Sequence, residues 1–185
     1  MYKKYSDGLI EVITGPMFSG KTEELIKRIT ILSYAEIPTL VIKPKIDNRF
    51  SNSEIISRSG KSIQSYAVEN VEDIKTLFNQ SEYRALVIDE VQFFGEALVE
   101  FIDGLANKGV HVIVCGLDQN YLRKPFGIMP QILAIAEHIT KLTAVCLICK
   151  NAASCTYRKT KNSDEISIGD MEEYEARCRR CHLKK

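Results

Sequence analysis

Apolar residues along the chain come in short, nearly unbroken runs, at 9–14, 39–43, 85–89, 111–116 and 141–146. Runs of this length read as strands buried on both faces. Between several of them the apolar period changes to that of a helix. Over 22–33, Leu25, Ile26, Ile29 and Leu32 share one face; over 96–107, Leu98, Phe101, Ile102 and Leu105 do; over 130–139, Ile132, Leu133, Ile135 and Ala136 do. Buried strands alternating with amphipathic helices predict an α/β fold, a parallel sheet with helices on both faces. Residues 47–66 break this rhythm. They are polar, serine-rich and punctuated by glycine, with weak alternation at Ile55, Ile56 and Ile63, so a mobile hairpin or flap is expected there rather than a core element. From about 146 the texture becomes short polar segments between cysteine pairs. The expected organisation is an α/β domain over 1–143, with 47–66 as a flexible hairpin, and a small subdomain over 144–185.

Composition narrows the partners. A chain of 185 residues suits one domain with a small appendage, and a net charge of +1 supplies no basic field for capturing nucleic acid. No apolar run is long enough to span a bilayer, and the first seven residues lead into the first strand without a signal-peptide pattern. The expectation is a cytoplasmic protein whose six cysteines stay reduced. Cys115, inside an apolar run, reads as a buried free thiol. Cys155 carries no assigned role.

The chemistry begins at Gly15-Pro16-Met17-Phe18-Ser19-Gly20-Lys21-Thr22, which follows the first strand and opens the first helix. Strand, G-x-x-x-x-G-K-T, helix is the layout of a P-loop. Its glycines let backbone N–H groups curl around phosphates, Lys21 reaches the β- and γ-phosphates, and the Thr22 hydroxyl takes magnesium. The acid that completes such a site is expected at the end of a neighbouring strand, where Ala85-Leu86-Val87-Ile88 runs into Asp89. Glu90 follows it. Successive side chains at a strand end point in different directions, so Asp89 can face the metal while Glu90 serves as general base for water or a substrate hydroxyl. At this level the chain is an ATPase or a kinase.

Cys146-x2-Cys149 and Cys178-x2-Cys181, separated by 28 residues, form the pattern of a four-thiolate structural zinc site. With the shell complete, His182 is expected at the surface. Zinc would tie the long loop 150–177 back against the body, and ordered loops of that length usually carry function. That loop is therefore expected to cover a substrate.

Taken together, these motifs resemble those of the cytosolic thymidine kinases of the P-loop, zinc-containing type. The matching stretches are the P-loop, Asp47-Asn48-Arg49-Phe50, Asp89-Glu90-Val91-Gln92-Phe93-Phe94, Gly116-Leu117-Asp118, Arg123-Lys124-Pro125-Phe126-Gly127, Leu142-Thr143-Ala144-Val145-Cys146 and both cysteine pairs. They span 9–181 in the family's order. The resemblance implies a RecA-like P-loop core with a zinc-ribbon-like subdomain bearing a lasso loop. It also implies transfer of phosphate from ATP to the 5′-hydroxyl of thymidine, with deoxyuridine as second substrate, in DNA precursor salvage. Glu90 matches the family's base, Lys21, Thr22 and Asp89 its phosphate and Mg2+ ligands. Asp47, Asn48 and Arg49 approach the phosphates from the hairpin, while Val91 and Gln92 border them. Met17, Phe93, Leu117, Tyr121 and Phe126 match the walls of the thymine pocket, and Thr156 lies beside the 5-methyl group. Glu165, Ile166, Ser167, Ile168, Gly169 and Tyr174 match the loop that closes over the nucleoside. Phe94 reads as plain core.

Two positions depart from the pattern. Val91 stands where the family usually has a smaller residue, narrowing the space near the base, and Tyr121 stands where many relatives carry Phe. The family further implies a homotetramer inhibited by dTTP. Two other readings compete with this one: a P-loop ATPase with a zinc module, and a zinc-stabilised nucleic-acid module. The small size, the lack of an arginine-finger helical domain and the lid signature oppose the first. The near-neutral charge opposes the second.

Overall fold

The computed structural model describes residues 8–47, 54–57, 60–160, 169 and 171–184. Strand β1 (Leu9–Thr14) leads into helix α1 (Lys21–Tyr34), and β2 (Thr39–Pro44) is followed by a hairpin of β3 (Glu54–Ile56) and β4 (Ser62–Gln64). Next come β5 (Tyr66–Val68), α2 (Val71–Phe78), β6 (Ala85–Ile88), a 3-10 turn at Val91–Phe93 and α3 (Ala97–Ala106). The last part of the sheet region is β7 (His111–Gly116), α4 (Met129–Ile135) and β8 (His138–Lys141). Six strands form one sheet in the order β5-β2-β6-β7-β1-β8. Every pairing in it is parallel, so the α/β architecture expected from the pattern is the one found.

The period of two along each strand sorts side chains into two layers. Leu86 and Ile88 of β6 join Ile10, Val12, Val112 and Val114 in a core covered by α2, α3 and α4. Ala85 and Val87 point the other way, with Ile13, Ile113 and Cys115, under Leu25, Ile26, Ile29 and Leu32 of α1. Glu11 interrupts the apolar pattern on the α1 side, buried to 2 % exposure. Arg28 of α1 pairs with it through Nη1, and His111 Nε2 lies 3.1 Å from its Oε1. Arg28 Nη2 also donates to Thr140 Oγ1 at 2.7 Å. The buried carboxylate is thus compensated from two elements, as a desolvated charge must be.

Three expectations need correction, and one helix went unpredicted. The run 141–146 is not one strand: the sheet ends at β8, while Ala144 belongs to a separate small cluster with Cys146, Ala153, Ala176 and Cys181. An edge strand pairs on one side only and remains largely exposed, so β8 is polar and escaped an apolar search. The helix expected over 130–139 stops at Ile135 because the chain must extend into β8. The segment 47–66 contains a core element. Ile55 is 3 % exposed and packs in the α1-side core with Ile63 alongside, and Tyr66 already belongs to β5. Finally, α2 was missed, although its start carries a reciprocal capping box between Asn70 and Asp73.

Beyond the sheet, β9 (Ala144–Val145) pairs with β10 (Ala152–Ala153), β11 (Cys155–Arg158) pairs with β12 (Tyr174–Arg177), and α5 (Arg179–Leu183) follows. Phe18 of the P-loop packs on the small cluster at their centre. That contact seats the C-terminal segment over the phosphate loop. Among the described residues no helix is long and apolar enough to cross a membrane.

Candidate active site

The chemistry-bearing residues gather at the carboxyl ends of β1, β2, β6 and β7, where a parallel α/β sheet opens its crevice. From β1 the chain turns through Gly15 at φ 140° and Gly20 at φ 82°, backbone that side chains with a Cβ rarely adopt. A Cβ on Gly15 would also sit 2.5 Å from the Leu142 carbonyl. Phe18 takes φ 68° without being glycine, a strain of about 1–2 kcal/mol held by its packing on the C-terminal cluster. Ser19 Oγ and Lys21 Nζ both donate to the Pro16 carbonyl, at 2.8 and 3.0 Å. Lys21 and Thr22 open α1, so the loop sits on a helix N-terminus.

Asp89 lies one residue past β6, its N–H donating to the Ile42 carbonyl at 2.9 Å. Burial, and after it the charge of Glu90, pushes its carboxyl up to about 7. Beneath it the Cys115 thiol, buried as expected, is itself driven well above its usual range by burial and by Asp89. Glu90 sits at φ 47°, a left-handed turn that swings its side chain off the line of Asp89. Gln92 then anchors it: Nε2 donates to Glu90 Oε2 at 2.7 Å, and Oε1 accepts from the Leu117 N–H at 3.1 Å. The space for Gln92 comes from two glycines. A Cβ on Gly116 would meet Gln92 Oε1 at 2.4 Å, and one on Gly127 would meet its carbonyl at 2.3 Å. Val91 does not line the cleft; its side chain is buried in the α2–α4 core, as is Phe94.

A cleft of about 360 Å³ runs from Lys21, Thr22, Asp47, Asp89 and Glu90 to Met17, Phe93, Leu117, Tyr121 and Phe126. That volume lies within the range of small-molecule sites. Phe93 and Phe126 meet edge to face at 5.8 Å between centroids. The far wall is supplied by the C-terminal segment through Thr156, Gly169 and Tyr174. Thr156 does more than line the wall: its Oγ1 accepts the Met17 N–H at 2.9 Å, bonding the P-loop to β11. Asn48, Arg49, Glu165, Ile166, Ser167 and Ile168 lie outside the described residues.

The four cysteine sulfurs of Cys146, Cys149, Cys178 and Cys181 all lie within 4.8 Å of one another, with Cys149 and Cys178 at 3.6 Å. A tetrahedral ion with bonds of ~2.3 Å to sulfur requires sulfurs roughly 3.8 Å apart, so the residues present fit a thiolate-bound metal. All four candidate ligands are cysteines, a set that would complete a tetrahedral shell with no open position for catalysis. His182 stands outside the cysteine cluster and is half-buried: Nε2 lies 3.0 Å from the Tyr121 carbonyl, and its ring meets Tyr157 edge to face at 5.5 Å.

Residues 8–182 match the family model described as thymidine kinase. The chain is 58 % identical over 182 residues to a thymidine kinase of Mesomycoplasma hyopneumoniae, covering 98 % of this chain and 99 % of the relative. A thymidine kinase of Mycoplasma mobile is 57 % identical over 184 residues, covering 100 % of this chain and 92 % of that one. One of Metamycoplasma arthritidis is 56 % identical over 182 residues, covering 98 % and 94 %. The chain belongs to the thymidine kinase family. It is accordingly a phosphotransferase of the kinase type.

In this thymidine kinase family member the cleft also has walls that motif reading did not find. Arg158, Asn120, Lys43 and Met171 all line it. Arg158 is the most built of these, buried to 6 % exposure with its guanidinium on two tyrosines. A signal for it existed. On a strand, residues two apart share a face, and Arg158 follows Thr156 by two.

Proposed function

We propose that the chain transfers the terminal phosphoryl group of ATP to the 5′-hydroxyl of thymidine, and of deoxyuridine, as a cytoplasmic salvage enzyme. One observation carries this reading: phosphate-loop residues, Glu90 and an aromatic pocket open into a single cleft. A hydrolase needs no second pocket of that kind. In this reading Lys21 and the loop N–H groups hold the phosphates, and Asp47, Asn48 and Arg49 serve as further phosphate-binding residues. Glu90, oriented by Gln92, accepts the 5′-hydroxyl proton, a role worth ~100- to 10,000-fold in rate. Thr22 and Asp89 would hold Mg2+, which supplies charge neutralisation at the phosphates.

Met17, Phe93 and Phe126 enclose the base, a purine being excluded by volume. The four cysteines would hold Zn2+ in a structural role, fastening β11 and β12 over the acceptor as a subdomain over 144–185. We assign the enzyme a homotetrameric state and feedback inhibition by dTTP. A cleft continuous from pocket to P-loop accommodates a nucleoside triphosphate lying along it.

The test is incubation with ATP and Mg2+, with and without thymidine, following thymidine monophosphate by chromatography. ATP consumption that thymidine leaves unchanged, without monophosphate, would overturn the proposal. Light scattering on the eluted protein tests the tetramer.

A further inference from the structure

The hairpin of β11 and β12 presents Thr156 and Arg158 on its inner face, and Arg158 pairs directly across with Tyr174. Arg158 is buried, and its guanidinium reaches two tyrosines at once. Nη2 and Nε donate to Tyr174 Oη at 2.8 and 3.2 Å. The same group lies flat-on to Tyr121, with Cζ 3.8 Å from the ring centroid. Tyr121 belongs to the loop after β7, and Tyr174 to the C-terminal segment. Both line the acceptor end of the cleft.

We propose that Arg158 is the positioning residue of the nucleoside pocket: its planar guanidinium locks Tyr174 against Tyr121 and so sets the width of the acceptor end. The inference rests on the function proposed above and adds to it the group that shapes its acceptor site. Arginine is required on geometric grounds. A planar, delocalised cation can stack on one ring while its edge N–H groups reach a hydroxyl in the same plane, whereas a lysine ammonium can do one or the other. The outer face of the same hairpin backs this arrangement. Arg177 stacks on Tyr157 with Cζ 3.4 Å from its centroid, and His182 holds the Tyr121 carbonyl at 3.0 Å. Tyr121 is therefore fixed from its ring by Arg158 and from its backbone by His182. The P-loop meets this hairpin at Thr156, which accepts the Met17 N–H at 2.9 Å, whereas Arg158 stands two residues further on at the tyrosine pair, so the larger effect should fall on the nucleoside.

The experiment compares wild type, Arg158→Lys, Tyr174→Phe and the double variant, all zinc-loaded, in steady-state kinetics for both substrates and in calorimetric thymidine binding. The expected result for Arg158→Lys is a thymidine KM and Kd raised about tenfold, with the ATP KM changed less than twofold and kcat less than threefold. Tyr174→Phe removes one oxygen and should raise the thymidine KM alone. The double variant should be no worse than the more affected single one, because both remove the same lock. Equal rises in both KM values, or effects that multiply in the double variant, would overturn the proposal. Should Arg158→Lys fail to fold, Tyr174→Phe decides, and an unchanged thymidine KM there refutes the lock. Wild-type protein that neither binds nor phosphorylates thymidine defeats the underlying function, and this inference with it.

Discussion

Replacing Asp89 by Asn is expected to make the protein more stable and less active at once. Asp89 is 8 % exposed, and burial followed by the charge of Glu90 lifts its carboxyl from 3.8 to about 7. For an acid whose folded value is raised, the native state binds the extra proton, so stability falls as pH climbs from the unfolded value to the folded one. Below about 4 both states are protonated and the group contributes nothing; above about 7 the full cost is present. At ~1.4 kcal/mol per pH unit, that cost is roughly 4 kcal/mol at pH 8, and about 2–3 kcal/mol of it accrues between pH 5 and 8. Asn carries no charge and keeps an oxygen for the Glu90 N–H, which Asp89 Oδ1 accepts at 2.9 Å. Urea unfolding of zinc-loaded wild type and variant in magnesium-free buffer, at intervals from pH 5 to 8, measures the difference. The variant should gain on the wild type steadily up to pH 7 and then hold its lead. Two stability curves that run parallel across this range, or a variant less stable at pH 8, would refute the argument. Activity should fall in the same variant, since in the proposed function Asp89 holds Mg2+, the usual tension between a strained site and a stable one.

Glu90→Gln should leave ATP and thymidine affinity within a few-fold while kcat drops ~100- to 10,000-fold; near-normal turnover would remove Glu90 from the role of base. Arg28→Met removes the guanidinium beside the buried Glu11 carboxylate and should cost ~3–5 kcal/mol in urea unfolding, with the double change Glu11→Gln and Arg28→Met recovering much of it. Chelation of zinc should weaken thymidine binding more than ATP binding, since the thiolates support β11 and β12 rather than the P-loop helix; equal loss of both, with loss of far-ultraviolet dichroism, would indicate general unfolding.

What could be read from the chain follows from how far each interaction reaches along it. The P-loop and the Asp89-Glu90 corner are contiguous because backbone N–H groups and a strand end do the work, so their chemistry is written locally. The acceptor wall is not local. Met17 meets Thr156 across 139 positions, and His182 meets Tyr121 across 61. Arg158 announces nothing by its immediate neighbours, and only strand periodicity around Thr156 could have placed it facing inward. The core contribution of the hairpin is hidden for a related reason: it is the single pair Ile55–Ile63, too short a signal to register as core, in a segment whose Ser57 and Ser65 are themselves buried. Edge strand β8 failed the same way, since one solvated side removes half of the apolar evidence.

The niche around Gln92 has a consequence for how such a protein can change over generations. Gly116 and Gly127 come from different segments, yet both positions are reserved for the same side chain and its backbone. Any substitution at either glycine displaces Gln92, and with it the hydrogen bond that aims Glu90. Three positions far apart in the gene are therefore bound into one heritable unit. Single changes at either glycine should be as damaging as loss of the carboxylate itself. Tolerated variation at Gly116 should arrive only with a smaller residue at 92, whereas at Gly127, where a Cβ would meet the main-chain carbonyl of Gln92 at 2.3 Å, no change of the 92 side chain relieves the contact.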